Sequence, residues 1–127
     1  MASEEEIIEN VLRDRLAEIE EDMNSYAHIV GTIQNIYGPL PTTVRHELAL
    51  VVVERMLERN INIGFLGGKP GELLRIDPWP GTVRERVERL RALIPTFSDP
   101  PYPDETPWLE RTWNLKTDPS KQPQPPA

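Results

Sequence analysis

The stretch 44–57 constrains the fold most, because apolar side chains occupy almost every side of it. These side chains are Val44, Leu48, Leu50, Val51, Val52, Val53, Met56 and Leu57. A helix that is apolar nearly all round forms the buried centre of a domain. The β-branched run would also suit a strand, but the flanking residues favour a helix from Thr42 or Thr43 to about Arg59. We expect one of the two threonines to cap the helix and Asn60 to end it in a left-handed conformation.

Two amphipathic helices are predicted before this central helix. Ser3 and Glu6 form a capping-box pattern at the start of the first, which extends over about residues 4–23. Its apolar stripe consists of Ile8, Leu12, Leu16, Ile19 and Met23. The second helix follows Ser25 as its N-cap, and the sequence Gly-Pro-Leu-Pro at 38–41 ends it.

A β-hairpin and a fourth helix are predicted after the central helix. Residues 61–65 alternate like a strand, residues 72–76 are typical of a second strand, and the glycine-rich segment 67–71 forms the turn. Thr82 is the expected N-cap of the fourth helix, which extends to about Ile94. The predicted fold class is therefore α+β and mostly helical, with about four helices and one short hairpin in a winged-helix-like order.

Proline dominates the C-terminal part of the chain. Five prolines between residues 95 and 107 exclude a regular helix, but the aromatic side chains of this part predict an ordered arm over 95–115. Residues 116–127 contain four prolines, two glutamines and no large apolar side chain, so we expect them to be disordered. The chain is thus predicted to form one globular domain over 1–115, followed by a short tail.

The formal charge of −7 is concentrated at the N-terminus. Residues 1–22 contain nine acidic side chains and two arginines, whereas the other 105 residues contain twelve acidic and twelve basic ones. The acidic side chains predicted to bind a partner are Glu6, Glu9, Asp14, Glu20 and Glu21. Such a surface attracts basic proteins and repels nucleic acids. The alternative is a solvated helix side that only keeps the protein soluble.

Composition excludes several classes of site. The chain has no cysteine, which rules out disulfides and thiolate-bound metals. Its longest apolar run, 48–53, is far too short to span a bilayer, and its acidic start does not resemble a signal peptide. We therefore expect a cytoplasmic protein that does not act on membranes.

Two sequence patterns suggest a cofactor or metal site, and both are incomplete. The Gly-Lys pair at 68–69 resembles part of a phosphate-binding loop, but the positions that need a glycine and a hydroxyl are Ile63 and Pro70. The His-Glu pair at 46–47 would begin a helical zinc motif, but its second histidine position is Leu50. No hydroxyl lies near a base in a nucleophilic pattern either. The sequence therefore predicts no catalytic, metal or cofactor site, and a protein that is not an enzyme.

The winged-helix-like order leaves a second interpretation open. A DNA-reading helix is basic and polar on its exposed side, whereas residues 43–59 are electrically neutral and apolar in the middle. The alternative is therefore a regulatory or accessory module that acts through protein contacts or dimerisation and binds no nucleic acid. A small enzyme whose active site forms only in an oligomer is a third interpretation.

Four segments carry a resemblance to known proteins. They are 54–64 (ERMLERNINIG), 78–81 (PWPG), 86–90 (RVERL) and 107–112 (PWLERT). Over residues 26–112 the chain resembles a group of small uncharacterised actinobacterial proteins, some of which are similar to immunity proteins of polymorphic-toxin systems. It departs from them at Asn60, where the group usually has glycine. The resemblance implies binding rather than catalysis, with an acidic side offered to a basic toxin domain.

The leading hypothesis is a non-catalytic protein-binding module that uses the acidic side of residues 4–22. Aromatic side chains often contribute most of the binding energy of a protein interface. Trp79, Tyr102 and Trp108 are therefore predicted as anchors for a partner protein with a basic surface. A second copy of the chain is the other partner that we consider. The alternative for the tryptophans is packing within the core or the arm.

Overall fold

The computed structural model describes residues 2–67 and 75–111, which form four α-helices and one four-stranded antiparallel sheet. The helices are α1 (Glu4–Ile19), α2 (Tyr26–Tyr37), α3 (Thr42–Leu57) and α4 (Val83–Leu93). The strands are β1 (Asn24–Ser25), β2 (Ile61–Gly67), β3 (Arg75–Pro78) and β4 (Trp108–Arg111), and they lie in the order β1-β4-β2-β3. The predicted α+β, mostly helical fold class is confirmed.

Helix α1 begins at the predicted capping box and ends before the predicted boundary. The Ser3 hydroxyl accepts a hydrogen bond from the Glu6 amide at 3.1 Å, and the Glu6 carboxylate accepts one from the Ser3 amide at 3.0 Å. The helix ends at Ile19 rather than at Met23. Three consecutive acidic residues follow it, and negative charge is unfavourable at a helix C-terminus. The chain then straightens into β1, which contributes an edge of the sheet.

Helix α3 is the centre of the molecule, as its sequence predicted. Its buried apolar residues are Leu48, Ala49, Leu50, Val52, Val53, Met56 and Leu57, and it packs against α1, α2, α4 and β2. The predicted threonine cap is wrong, because Pro41 occupies the N-cap position and the Thr42 hydroxyl instead donates to Asp99 at 2.8 Å. The helix ends at Leu57, two residues before the predicted end, and Asn60 adopts the predicted left-handed conformation with φ 63°.

The sheet is larger than the predicted hairpin. Strands β2 and β3 form the hairpin, and β4 pairs with β2 on the other side and with β1 beyond it. Part of the predicted arm is therefore a central strand. The second predicted strand, 72–76, overlaps β3 only at residues 75–76; its earlier part, most of the predicted turn 67–71 and residues 112–127 lie outside the described residues.

Helix α4 and the arm close the core. Thr82 caps α4 as predicted, with its hydroxyl accepting from the Glu85 amide at 3.1 Å, and Leu90 is completely buried. The described part of the arm is attached to the start of α2, where the Tyr26 amide donates to the Pro107 carbonyl at 2.9 Å. Among the described helices, none has the length and apolar character to cross a bilayer.

Candidate protein-binding surface

The acidic side chains of α1 have different roles within the fold. Glu6 belongs to the capping box that starts the helix. Asp14 forms an ion pair with its neighbour Arg15 at 2.9 Å. The Arg15 side chain is only 12% exposed and also donates to the Asn24 amide oxygen at 2.5 Å. Two of the predicted partner-binding carboxylates therefore already stabilise α1 and its connection to β1.

Two arginines from distant parts of the chain bind further carboxylates of this segment. Arg55 of α3 donates to Glu5 at 2.8 Å and to Glu9 at 2.7 Å. The Arg55 hydrogen bond lowers the pKa of Glu5 below its ordinary value. Arg111 of β4 pairs with Glu20, with 2.6 Å between its Nε atom and the carboxylate. These pairs attach both ends of the acidic segment to the rest of the fold.

The intramolecular pairs compensate only part of the negative charge. Residues 1–22 carry a formal charge of −7, and adding Arg55 and Arg111 leaves −5. Within residues 2–67 and 75–111, no ion pair or side-chain hydrogen bond involves the carboxylates of Glu4, Glu18 and Glu21. All three side chains are exposed. The acidic side of α1 therefore remains a negative surface after its internal partners have been counted.

Trp79 is a core residue and not the exposed anchor that the sequence predicted. It is only 6% exposed, and its backbone amide donates to the Ile63 carbonyl at 2.9 Å. Its ring meets the Phe65 ring edge-on at 5.7 Å, and the guanidinium of Arg89 lies 4.2 Å from the ring centroid. The ring thus closes the core between β2 and α4, as the alternative interpretation of the tryptophans expected.

The other two predicted anchors differ in exposure. Trp108 is half-buried in β4, where its ring makes an edge contact with the His28 ring at 5.6 Å. Tyr102 is 63% exposed, and the loop that presents it is braced by Glu105. That carboxylate accepts from the amides of Ser98 at 2.9 Å and Tyr102 at 2.8 Å, and these bonds lower its pKa. The residues that follow Tyr102, Pro103–Glu105, contact α2.

A surface that the sequence did not predict lies along the outer side of α3. Three adjoining cavities of about 320, 380 and 200 Å³ border this side, one between α3 and α1 and two between α3 and α4. We call this feature the α3 groove. Its apolar lining consists of Ile8, Val44, Leu48, Leu50, Val51, Val87, Ile94 and Pro95. Val44 and Val51 lie seven residues apart on one side of α3, but the sequence does not distinguish them from the buried apolar residues beside them, so no local signal reveals the groove.

Charged side chains form the walls of the α3 groove. Arg91 of α4 is neutralised by Glu47 at 2.5 Å and Glu88 at 3.6 Å. Glu4 on the α1 wall, Glu54 on α3 and Arg84 on the α4 wall line the cavities as well. These last three have no ion-pair partner in the part of the chain that the structure describes.

A buried polar contact joins α2 to α3. The Tyr26 hydroxyl lies 2.6 Å from Nδ1 of His46, and their rings stack with centroids 5.7 Å apart. Burial raises the pKa of Tyr26 far above its ordinary value and lowers the pKa of His46, so both groups are neutral at pH 7. The pair holds two helices together. No metal-binding group of His, Cys, Asp and Glu occurs among the described residues.

No protein-family model, curated protein or solved structure matches the chain. The resemblance to immunity-like proteins therefore stays a prediction.

Proposed function

We propose that this chain is a cytoplasmic, non-catalytic protein-binding module whose acidic α1 attracts a partner protein with a basic surface. The observation that carries the proposal is the residual charge of −5 on the N-terminal segment after Arg55 and Arg111 have been counted. If the charge served only solubility, acidic residues spread over the whole surface would make the protein equally soluble. The other residues then carry only −2, so most of the charge lies on one helix and the turn after it.

The physical role of such a surface is to increase the rate of association and to select the partner. Complementary charges at an interface chiefly raise the association rate, and like charges exclude competitors such as nucleic acids. Exposed charges are screened over about 10 Å at 0.1 M salt, so the association should weaken as salt is added. Most specifically, we propose that the chain is an immunity protein that neutralises a basic toxin domain. The resemblance over residues 26–112 implies this role.

The proposal is tested with the carboxylates that have no structural role. Lysine at Glu6, Glu9 or Glu20 would also break a cap or an ion pair, whereas Glu18 and Glu21 make neither contact. We expect the variant E18K/E21K to keep its fold and to associate about ten-fold more slowly with the partner recovered by co-purification from the native cells. The measurement is the association rate at low and high salt.

The matched control is Asp104→Lys, because Asp104 is an exposed acidic residue on the arm. This variant should associate at the rate of the unmodified protein. If the partner binds E18K/E21K and the unmodified chain at the same rate in low salt, the acidic side of α1 does not select the partner and the proposal fails.

A further inference from the structure

The α3 groove supports a more specific inference, which rests on the proposed function. We propose that this groove binds a cationic amphipathic helix of the partner protein, laid along α3 between α1 and α4. The acidic side of α1 then accelerates the encounter, and the groove holds the bound segment.

The shape and lining of the groove match a helix. Along α3 the groove extends from Thr42 to Glu54, which at 1.5 Å per residue is about 18 Å, or just over three helical turns. Val44 and Val51 are half-buried and line the floor of the groove. They lie about two helical turns apart on the outer side of α3. A helix that presents apolar residues at i, i+3, i+4 and i+7 fills a groove of this kind with one side.

The charges around the groove select a basic occupant. Glu4 and Glu54 are exposed carboxylates without an ion-pair partner among the described residues. Of the two arginines that line the groove, only Arg84 also lacks such a partner there. Arg91 is neutralised by two carboxylates. At the α1 edge, Arg55 pairs with both Glu5 and Glu9. These three side chains together therefore keep one negative charge.

The same charges disfavour a second copy of the chain in the groove. A two-fold contact between two identical faces brings the same element of each copy together at the axis. Glu54 on the outer side of α3 and Glu58 just after its end are exposed carboxylates without an ion-pair partner among the described residues, so this arrangement would bring like charges together. Lysines on a partner helix would instead meet Glu4 and Glu54.

The probe for this inference is a synthetic helix of about 18 residues, with leucine at i, i+3, i+4 and i+7 and lysine elsewhere. A peptide of the same composition in scrambled order serves as the reference for purely electrostatic attraction. We expect the amphipathic peptide to bind the intact chain about ten-fold more tightly than the scrambled one, as measured by fluorescence anisotropy at 0.1 M salt.

The decisive variant is Val51→Asp, because it makes the groove floor polar while adding a negative charge. Electrostatic attraction alone would strengthen the binding of a cationic peptide to this variant, whereas binding in the groove would weaken about ten-fold. Val44→Asp is a second variant of the same kind, at a first-turn position where an acidic residue favours the helix. Ile36→Asp is the control, since Ile36 is an exposed apolar residue on α2.

Three results would overturn the inference. They are equal binding of the amphipathic and scrambled peptides, unchanged or tighter binding by Val51→Asp, and a homodimer in sedimentation that Val51→Asp dissociates. The E18K/E21K variant separates this test from that of the proposed function. It should still bind the amphipathic peptide about ten-fold more tightly than the scrambled one, because its substitutions lie outside the groove lining and affect both peptides alike.

Discussion

The buried hydrogen bond between Tyr26 and His46 makes the stability of the fold sensitive to the loss of either side chain. Tyr26 is completely buried, and His46 is 7% exposed. Both groups are neutral, so the Tyr26 hydroxyl and Nδ1 of His46 share a single hydrogen bond between them. Removal of either partner leaves a buried polar atom without its hydrogen bond, which costs more free energy than the bond itself contributes.

We therefore predict that Tyr26→Phe lowers the free energy of unfolding by about 1–3 kcal/mol, since it leaves Nδ1 of His46 without a partner. Tyr37→Phe is the matched control, because the Tyr37 hydroxyl accepts a hydrogen bond from Asn10 at 2.7 Å at the surface. Its loss should stay within about 0.5 kcal/mol. Urea denaturation measures both values, and equal losses in the two variants would contradict the prediction.

At the residue scale, the sequence predicts the composition of the candidate surface better than its contacts. The excess of carboxylates in residues 1–22 follows from counting side chains. Their arginine partners lie 46 residues away for Glu9 and 91 residues away for Glu20, and no local pattern links positions so far apart. The burial of Trp79 likewise depends on side chains of β2 and α4 that surround it only in the folded chain.

At the scale of the elements, two glycines have opposite roles. A Cβ atom at Gly64 would lie 2.0 Å from the Asp77 carbonyl oxygen, so the close pairing of β2 with β3 requires glycine there. A Cβ atom at Gly31 of α2 would meet nothing within 4 Å. The first glycine is required by packing, and the second only weakens its helix.

We predict that Gly64→Ala destabilises the protein by about 3 kcal/mol or more, because the β2–β3 backbone must move apart. Gly31→Ala should stabilise it by about 0.5–1 kcal/mol, since alanine has the higher helix propensity and the space is open. Thermal unfolding followed by circular dichroism compares the two variants. A stable Gly64→Ala protein would show that the strands can separate at little cost.

The helices were predictable because their signals are local, and two of the strands were not. Capping boxes at Ser3 and Thr82 and apolar stripes at helical spacing lie within a few residues of one another. Strand β1 has two residues and β4 has four, which is too short for a period of two to be recognised. Asn24 pairs with Leu109, so each strand is defined by the other rather than by its own sequence. The α3 groove was missed for a similar reason, since it exists only once α1 and α4 flank α3.

At the scale of the whole molecule, β4 is the last described element and joins β1, from the N-terminal part of the chain, to the β2–β3 hairpin. Leu109 is completely buried in β4, opposite Asn24 of β1 and Ile63 of β2. Because the strand lies inside the sheet, its side chains contribute to the same core as the helices. The helices and the sheet should therefore unfold together.

We predict that Leu109→Ala lowers the free energy of unfolding by about 2–5 kcal/mol and preserves a single cooperative transition. Coincident denaturation curves from far-UV and near-UV circular dichroism would confirm the cooperativity. Two separate transitions, with helix signal persisting after the tryptophan signal is lost, would show that α1–α3 form an independent unit.

The inner position of β4 also governs how the molecule takes shape on the ribosome. Translation delivers β2 before β4, and at about 5–20 residues per second the intervening stretch takes roughly 2–8 seconds to synthesise. During that interval one edge of β2 has no neighbour, and β1 has nothing to pair with. An open strand edge readily pairs with other chains. The nascent polypeptide is thus most vulnerable to aggregation just before its last strand emerges, and a slow codon within that interval would prolong the exposure.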